Sequence, residues 1–452
     1  MRNSNSSYKI KNSITGVTRA VALSFLATMP LHAAQITLSE AFDYNAFIFE
    51  DYTGYYSDVE GSLAVGGNVT VNDFDIGLQL SPDLTASSFY VGGDVSYTNG
   101  KIRNGETTVS GDIVANNVEF EDTVNAGGDI SISETAVTNG DVNAGETFIA
   151  QNAEVNNGSV NATDISLINS QIENGNINAV DSISLTNSEV SAGSATAGNS
   201  ISSDANSSIS DDASIEAVST VQVDNIDFAA IESEVKAQSS DFANMTVNGE
   251  TTFYCQGATG CTDSSSIDGI VFSGEDDDIN IFTIDAEWFS VGNKSITYDF
   301  STTSYNIINV VGDAVSLFNT GFFNTAFDGQ YLDNDQNADY RHDGTYTNNI
   351  LFNFVDATEV TLESVGIKGS ILAPYADVAF YNGHIDGNLI ASSVYTPEVY
   401  LTDSQGVTYL APTGQVNNYA FGITQVSAPG SVLMLLPALA MLFVRRKLQR
   451  KA

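Results

Sequence analysis

Four oxygen-bearing side chains, Asp333, Asp335, Asn337 and Asp339, alternate within one short stretch. Oxygen ligands on alternate residues of a loop are how a chain wraps Ca²⁺. Ala338 stands where the turn glycine of a helix-loop-helix calcium site belongs, and Gly344 where its closing glutamate belongs. Two readings are therefore open, a weak Ca²⁺ site or a solvated acidic loop. Glu275-Asp276-Asp277-Asp278 poses the same choice with less pattern. Cys255 and Cys261 enclose Gln-Gly-Ala-Thr-Gly. In an exported chain that spacing reads as a disulfide across a tight loop, and no neighbouring base or cation favours a nucleophile. His342 and His384 lie in separate segments, which argues against a histidine-rich metal site. With no phosphate loop and no Gly-x-Ser-x-Gly elbow, no catalytic or cofactor-binding residue is assigned. No cofactor is required, and Ca²⁺ is the one ion the pattern admits. Carboxylate pairs for glycoside cleavage stay open, because 56 acids are present and spacing along a chain does not fix spacing in space.

The charge balance narrows the partners. Residues 1–34 and the last 26 residues carry nine of the 15 Lys and Arg and no acid. The body between them holds six basic residues against 56 acidic ones, a formal charge of about −50. Such a surface repels phosphate backbones, so nucleic acid is excluded as a partner. Charged residues are only 16% of the chain, below the roughly 25% of ordinary globular domains. Asn, Ser, Thr and Gly take their place, which is the composition of a turn-dense, all-β extracellular protein.

The two ends read as addresses. Residues 1–34 combine a basic region, an apolar run from Ala20 to Leu31 and small residues at Ala33 and Ala34, the layout of a secretory signal for signal peptidase. In 426–452, the 13 apolar residues Val432 to Val444 precede Arg445, Arg446 and Lys447. As a helix that run covers about 20 Å, short of the roughly 30 Å hydrocarbon core, which suits transient membrane anchoring. The basic cluster would stay cytoplasmic and hold the body outside.

Residues 35–425 form the β-rich body. Val124-Asn125-Ala126 recurs as Val142-Asn143-Ala144, Val160-Asn161-Ala162 and Ile177-Asn178-Ala179. Asn139-Gly140, Asn157-Gly158 and Asn174-Gly175 keep step, as do Ile149, Leu167 and Leu185, and Val155, Ile172 and Val190. Apolar and polar residues alternate within each unit, the pattern of strands with one buried face. A unit this short cannot bury its own apolar face, so units must stack. The expected fold is all-β: a β-solenoid of the right-handed β-helix kind, with coils over about 90–200. Asn-Gly supplies the left-handed torsion of its turns. Gly92-Gly93-Asp94 and Gly127-Gly128-Asp129 lack the third glycine and the nine-residue period of calcium-binding repeats.

Asp227 is placed to cap one packed α-helix over about 227–245, with Phe228, Ile231, Val235, Phe242 and Met245 on one face and Gln238 filling the gap. A closing β segment follows over about 281–421, and its alternation suggests a return to the same stack.

Two resemblances emerge from these segments. Phe42-Asp43-Tyr44-Asn45-Ala46-Phe47-Ile48-Phe49 and Asp58-Val59-Glu60-Gly61-Ser62-Leu63-Ala64-Val65-Gly66-Gly67 resemble the opening of the choice-of-anchor A family. Gly369-Ser370-Ile371-Leu372-Ala373-Pro374 and Asp386-Gly387-Asn388-Leu389-Ile390-Ala391 resemble its closing segment. Ser427-Ala428-Pro429-Gly430-Ser431, the apolar run and the Arg cluster resemble a PEP-CTERM sorting tail, although only Pro429 of its two prolines is present and its glutamate is missing. The resemblance implies an exosortase-like processing enzyme acting near Pro429, with Arg445 and Arg446 as the retained charges. A permanent tail anchor is the alternative. Together they imply export to the surface or matrix of a Gram-negative bacterium and a structural or adhesive role, with extracellular polysaccharide or a matrix protein as partner. The alternative is a β-helix polysaccharide-degrading lyase or glycoside hydrolase.

Overall fold

The computed structural model describes residues 36–82, 87–224, 226–325, 330–331 and 342–422. Most strands of the unit Leu38–Ala452 form a β-solenoid whose coils contribute to three parallel faces. Glu250–Cys255 pairs antiparallel with Ala258–Thr259 and Ile267–Ser273, and Tyr400–Thr402 with Thr408–Leu410 forms an antiparallel hairpin. Within a coil, Ile177–Thr186 and Glu189–Ser191 supply all three, because the longer strand bends from the first sheet into the second.

The chain enters at the middle of its own stack. Ala46–Ile48 pairs in parallel with Leu63–Val65 on one side and with Leu389, Ile390 and Ala391 on the other. Coils then add in sequence as far as Ala213–Ile215. After the helix, a second series starts at Ile279–Asp285 and builds through Tyr305–Val311, Ile350–Phe354 and Ser370–Tyr381 back to Leu389–Tyr395. The return to one stack is therefore real, and the stack extends well beyond 90–200. Two buried amides fasten the junction. Asn45 Nδ2 donates to Gly387 O and Asn417 O at 3.1 and 2.9 Å, and Asn388 Nδ2 donates to Tyr44 O at 2.7 Å. The opening and closing segments, far apart in sequence, are neighbours in space.

The repeats stack in register: Val124, Val142, Val160 and Ile177 form one inward column, and Val155, Ile172 and Val190 another. Each such side chain contributes about 1.5–3 kcal/mol through burial. Asn125, Asn143, Asn161 and Asn178 face outward and link amide to amide at 2.8, 2.8 and 2.9 Å. One column differs from expectation. Ile149 is 40% exposed, and the inward partner of Leu167 is Ala150. Val142 pairs with Val160 but Thr147 with Asp164, so the corner between them is one residue shorter in the later coil. An odd shift moves a strand's side chains to the opposite face.

The Asn-Gly turns divide their labour differently as well. The left-handed torsion falls on Asn157 and Asn174, at φ 59° and 56°. The glycines are required by close approach: a Cβ on Gly175 would lie 1.9 Å from Gly158 O in the coil beside it.

The helix runs Phe228–Asn244, with Asp227 accepting from Ala230 N at 3.0 Å. It lies across the outer side of the first sheet, where Ser239 Oγ donates to Asn353 at 2.6 Å and Phe228 meets the rings of Phe47 and Tyr90. Ser239, rather than Gln238, fills the buried gap. Gln238 is half-buried and accepts from Ser39 N at 3.3 Å. The backbone edge of Ile279–Asp285 is covered by Asn248 and Gly249, whose N–H groups donate to Ile281 O at 3.3 and 3.1 Å. Covering an edge this way blocks stray strand pairing.

Candidate functional site

The second sheet offers a surface unlike the rest of this acidic chain. Its inward positions, such as Ile130, Phe148, Ile165 and Ile183, are buried, so the residues between them face outward. One outward column reads Thr70, Ser96, Val114, Ser131, Ile149, Ser166, Ser184 and Ser202 in unbroken register. The column beside it includes Asn116, Ser133, Gln151 and Thr186. Neither contains a charge. With strands ~4.8 Å apart, the face is a flat array of small hydroxyls and amides roughly 30 Å long. Val114 and Ile149 add two exposed apolar points. Along its border Asn99, Asn117, Glu134, Asn152, Asn169 and Asn187 hold left-handed torsions, and Asn117 Nδ2 donates to Asn99 at 2.8 Å. This ladder keeps the corner regular. Charge flanks these columns. Asp94, Asp112, Asp129 and Asp164, two residues before Ser96, Val114, Ser131 and Ser166, each accept a backbone N–H of the next coil at 2.7–3.1 Å. On the third sheet Lys101 pairs with Glu119 and Arg103 with Glu121.

The residues singled out in the sequence fall in several places. Asp333, Asp335, Asn337 and Asp339 lie outside the described residues, as do Pro429, Arg445 and Arg446. Cys255 and Cys261 are bonded to each other, with Cα atoms 5.5 Å apart. In Glu275-Asp276-Asp277-Asp278, Asp276 Oδ1 accepts from Asp278 N and Ile279 N at 2.9 and 3.2 Å, which is turn chemistry.

The histidines are a correction. The fold brings His342 and His384 together, ring centroids 4.3 Å apart, and adds Asp386 with ligand atoms of all three within 4.8 Å. Separation along the chain misled because residues 342–349 fold over the outer side of the coil that carries His384. Lys368, Asp386 and Asn417 are register partners on the third sheet and fully buried. Their outward side is covered by residues 342–349 and 418–422, which are joined by Gly422 N donating to Asn348 O at 2.9 Å. Asp386 Oδ2 receives Lys368 Nζ and its Oδ1 receives Asn417 Nδ2. His384 Nε2 stands 3.8 Å from Oδ2, and Asn417 Nδ2 is 3.1 Å from His342 Nδ1. Burial pushes the Asp386 carboxyl up, against the pull of Lys368, Asn417 and His342. A divalent ion here would have to displace the ammonium from the shared carboxylate oxygen, so the arrangement suits an amine better than a metal.

Residues 37–400 match the family described as "Putative Ice-binding-like adhesive domain". Among solved structures, the Tapirin C-terminal domain of Caldicellulosiruptor kristjanssonii is similar at 12% identity, covering 78% of this chain and 93% of that one. Its TM-score is 0.22. No curated protein matches this chain.

Proposed function

Because the chain belongs to the ice-binding-like adhesive domain family, we propose that it is an exported adhesive protein, not an enzyme, and that it binds through the outer face of its second sheet. The observation that carries this reading is the uncharged ladder from Thr70 to Ser202 on a body of about −50. An acidic surface repels acidic polymers, whereas a neutral face of hydroxyls and amides accepts a neutral one. Extended neutral polysaccharide is the partner that fits, since each coil repeats the same donors and acceptors. Many weak contacts then act together, each gaining from the effective concentration set by the others.

Signal-peptidase processing, an exosortase-like sorting tail and choice-of-anchor A membership complete the proposal. The form found outside the cell then ends near Gly430, and its intact mass tests this. A membrane-bound species still carrying Arg445 and Arg446 favours the permanent anchor. The calcium loop at Asp333, Asp335, Asn337 and Asp339 stands as a separate proposal, tested by whether calcium raises the melting temperature more than matched sodium.

The experiment for adhesion is retention of the mature domain on immobilised polysaccharides and matrix proteins, with release of reducing ends or unsaturated products measured in parallel. Retention without product supports the proposal. Product formation supports the lyase or hydrolase alternative.

A further inference from the structure

We propose that Lys368 and Asp386 become joined by an amide bond between Lys368 Nζ and Asp386 Cγ, formed by the folded chain itself. The inference stands on the buried polar cluster and does not depend on the adhesive reading.

Three observations carry it. Lys368 and Asp386 are both fully buried and sit directly opposite each other on neighbouring strands. Nζ touches Oδ2, so amine and carboxyl are held within reach of each other. The other carboxyl oxygen is engaged by Asn417, itself fully buried and next in the same column.

An ion pair stripped of water is a poor resting state, because desolvation offsets much of the Coulomb attraction. Moving one proton from Nζ to Oδ2 turns the pair into a neutral amine beside a neutral carboxylic acid. Burial favours that form of Asp386. These are the two partners of a condensation. The Nζ lone pair adds to Cγ, and the negative charge that develops on Oδ1 is met by the N–H of Asn417. His384 Nε2, 3.8 Å from Oδ2, is placed to pass the proton from the new C–N bond to the departing oxygen. One C–N bond forms, one C–O bond breaks, and Oδ2 leaves as water with two protons. Nothing is oxidised or reduced. Holding both groups in one fixed geometry replaces a slow encounter with a unimolecular step, an effect worth about 10⁵–10⁸ M in effective concentration.

The bond would tie the coil containing Gly366–Lys368 to the one containing His384–Asp386, just before the stack meets the N-terminal strands. A solenoid pulled along the chain separates coil from coil, and a covalent rung at this point would resist that separation.

The test is peptide mapping of the native protein after reduction and denaturation. Trypsin is expected to cut after Arg341 and not after Lys368, leaving one peptide that starts at His342, contains Asp386, ends at Arg445 or at the mature C-terminus, and is lighter by one water. A second digestion at Asp377 is expected to yield two chains still joined through Lys368 and Asp386. Lys368→Arg should restore the unlinked mass. Cleavage after Lys368 into peptides of unmodified mass would overturn the proposal. Loss of ammonia with the link on Asn417 would overturn the assignment of Asp386.

Discussion

The coils before the helix and those after it obey the same pairing rules yet present opposite surfaces. In Val160–Ile168 and Ile177–Thr186, buried residues alternate with accessible ones. In Ile350–Phe354, Gly366–Lys368 and His384–Asp386 every residue is buried. The backbone is not the cause, since both series pair in parallel and in register. The difference is what lies outside the sheet. The helix covers the first sheet of the later coils, and residues 342–349 and 418–422 cover their third. An open outer face tolerates Ser, Thr and Asn that bond water or a ligand, while a covered one must satisfy each polar group internally. The later coils are thus covered on their first and third sheets, while their second sheet, as in Ala314–Phe318 and Glu359–Glu363, keeps the open alternation.

The strongest contrast lies within one coil pair. Leu167 is fully buried, so Leu167→Asp places an unpaired carboxylate in the core and should abolish cooperative folding, as read by circular dichroism and thermal melting. Ile149→Asp, on the outward side of the neighbouring strand, should change stability by no more than about 0.5 kcal/mol.

A smaller contrast separates covered amides from open ones. Asn353 donates to Ser239 O at 2.9 Å and to Asn309 Oδ1 at 2.8 Å beneath the helix. Asn353→Ala removes this buried donor from both partners and should cost about 1–3 kcal/mol in denaturant unfolding. Asn161→Ala, in the half-exposed ladder, should cost about 0.5–1.5 kcal/mol. Equal losses would show that the outer cover has no energetic consequence.

The smallest effect is in pH dependence, where the two regions have opposite signs. Burial pushes the Asp58 carboxyl up to about 6, with the Gln415 amide opposing. The folded state then holds that proton more tightly than the unfolded chain. Its contribution is complete below the unfolded value of 3.8 and is lost as pH rises through about 6. Burial lowers the Lys294 ammonium to about 7, so its contribution is present above the unfolded value of 10.5 and lost as pH falls through about 7. Asp58→Asn should flatten the melting-temperature profile on the acidic side, and Lys294→Met on the alkaline side.

The open coils were the legible part of the sequence. Val124, Val142 and Val160 announce themselves because a strand with one wet face shows its period directly. Ile149 was misassigned because the corner before Asp164 lost one residue, and sequence spacing cannot reveal which side of a bend absorbs the change. The helix cap at Asp227 was legible from local chemistry, whereas the choice of Ser239 over Gln238 was settled by Asn353 on the opposing strand. The cluster of Lys368, Asp386, Asn417, His342 and His384 was hidden. Its members come from different coils and a covering segment, so only the path of the whole chain assembles them. The uncharged face was hidden for a related reason. Serines such as Ser131, Ser166 and Ser184 look like ordinary strand residues until their register places them in one column.

That column supplies the most direct test of the adhesive account. The variant Ser131→Asp/Ser166→Asp/Ser184→Asp puts three carboxylates on the face without touching an inward side chain. The measurement is its retention on an immobilised neutral polysaccharide that holds the unmodified domain, with circular dichroism and melting temperature recorded on the same samples. Retention is expected to fall at least tenfold while the fold is kept. Undiminished retention by the folded variant would contradict the account and place adhesion elsewhere on the molecule.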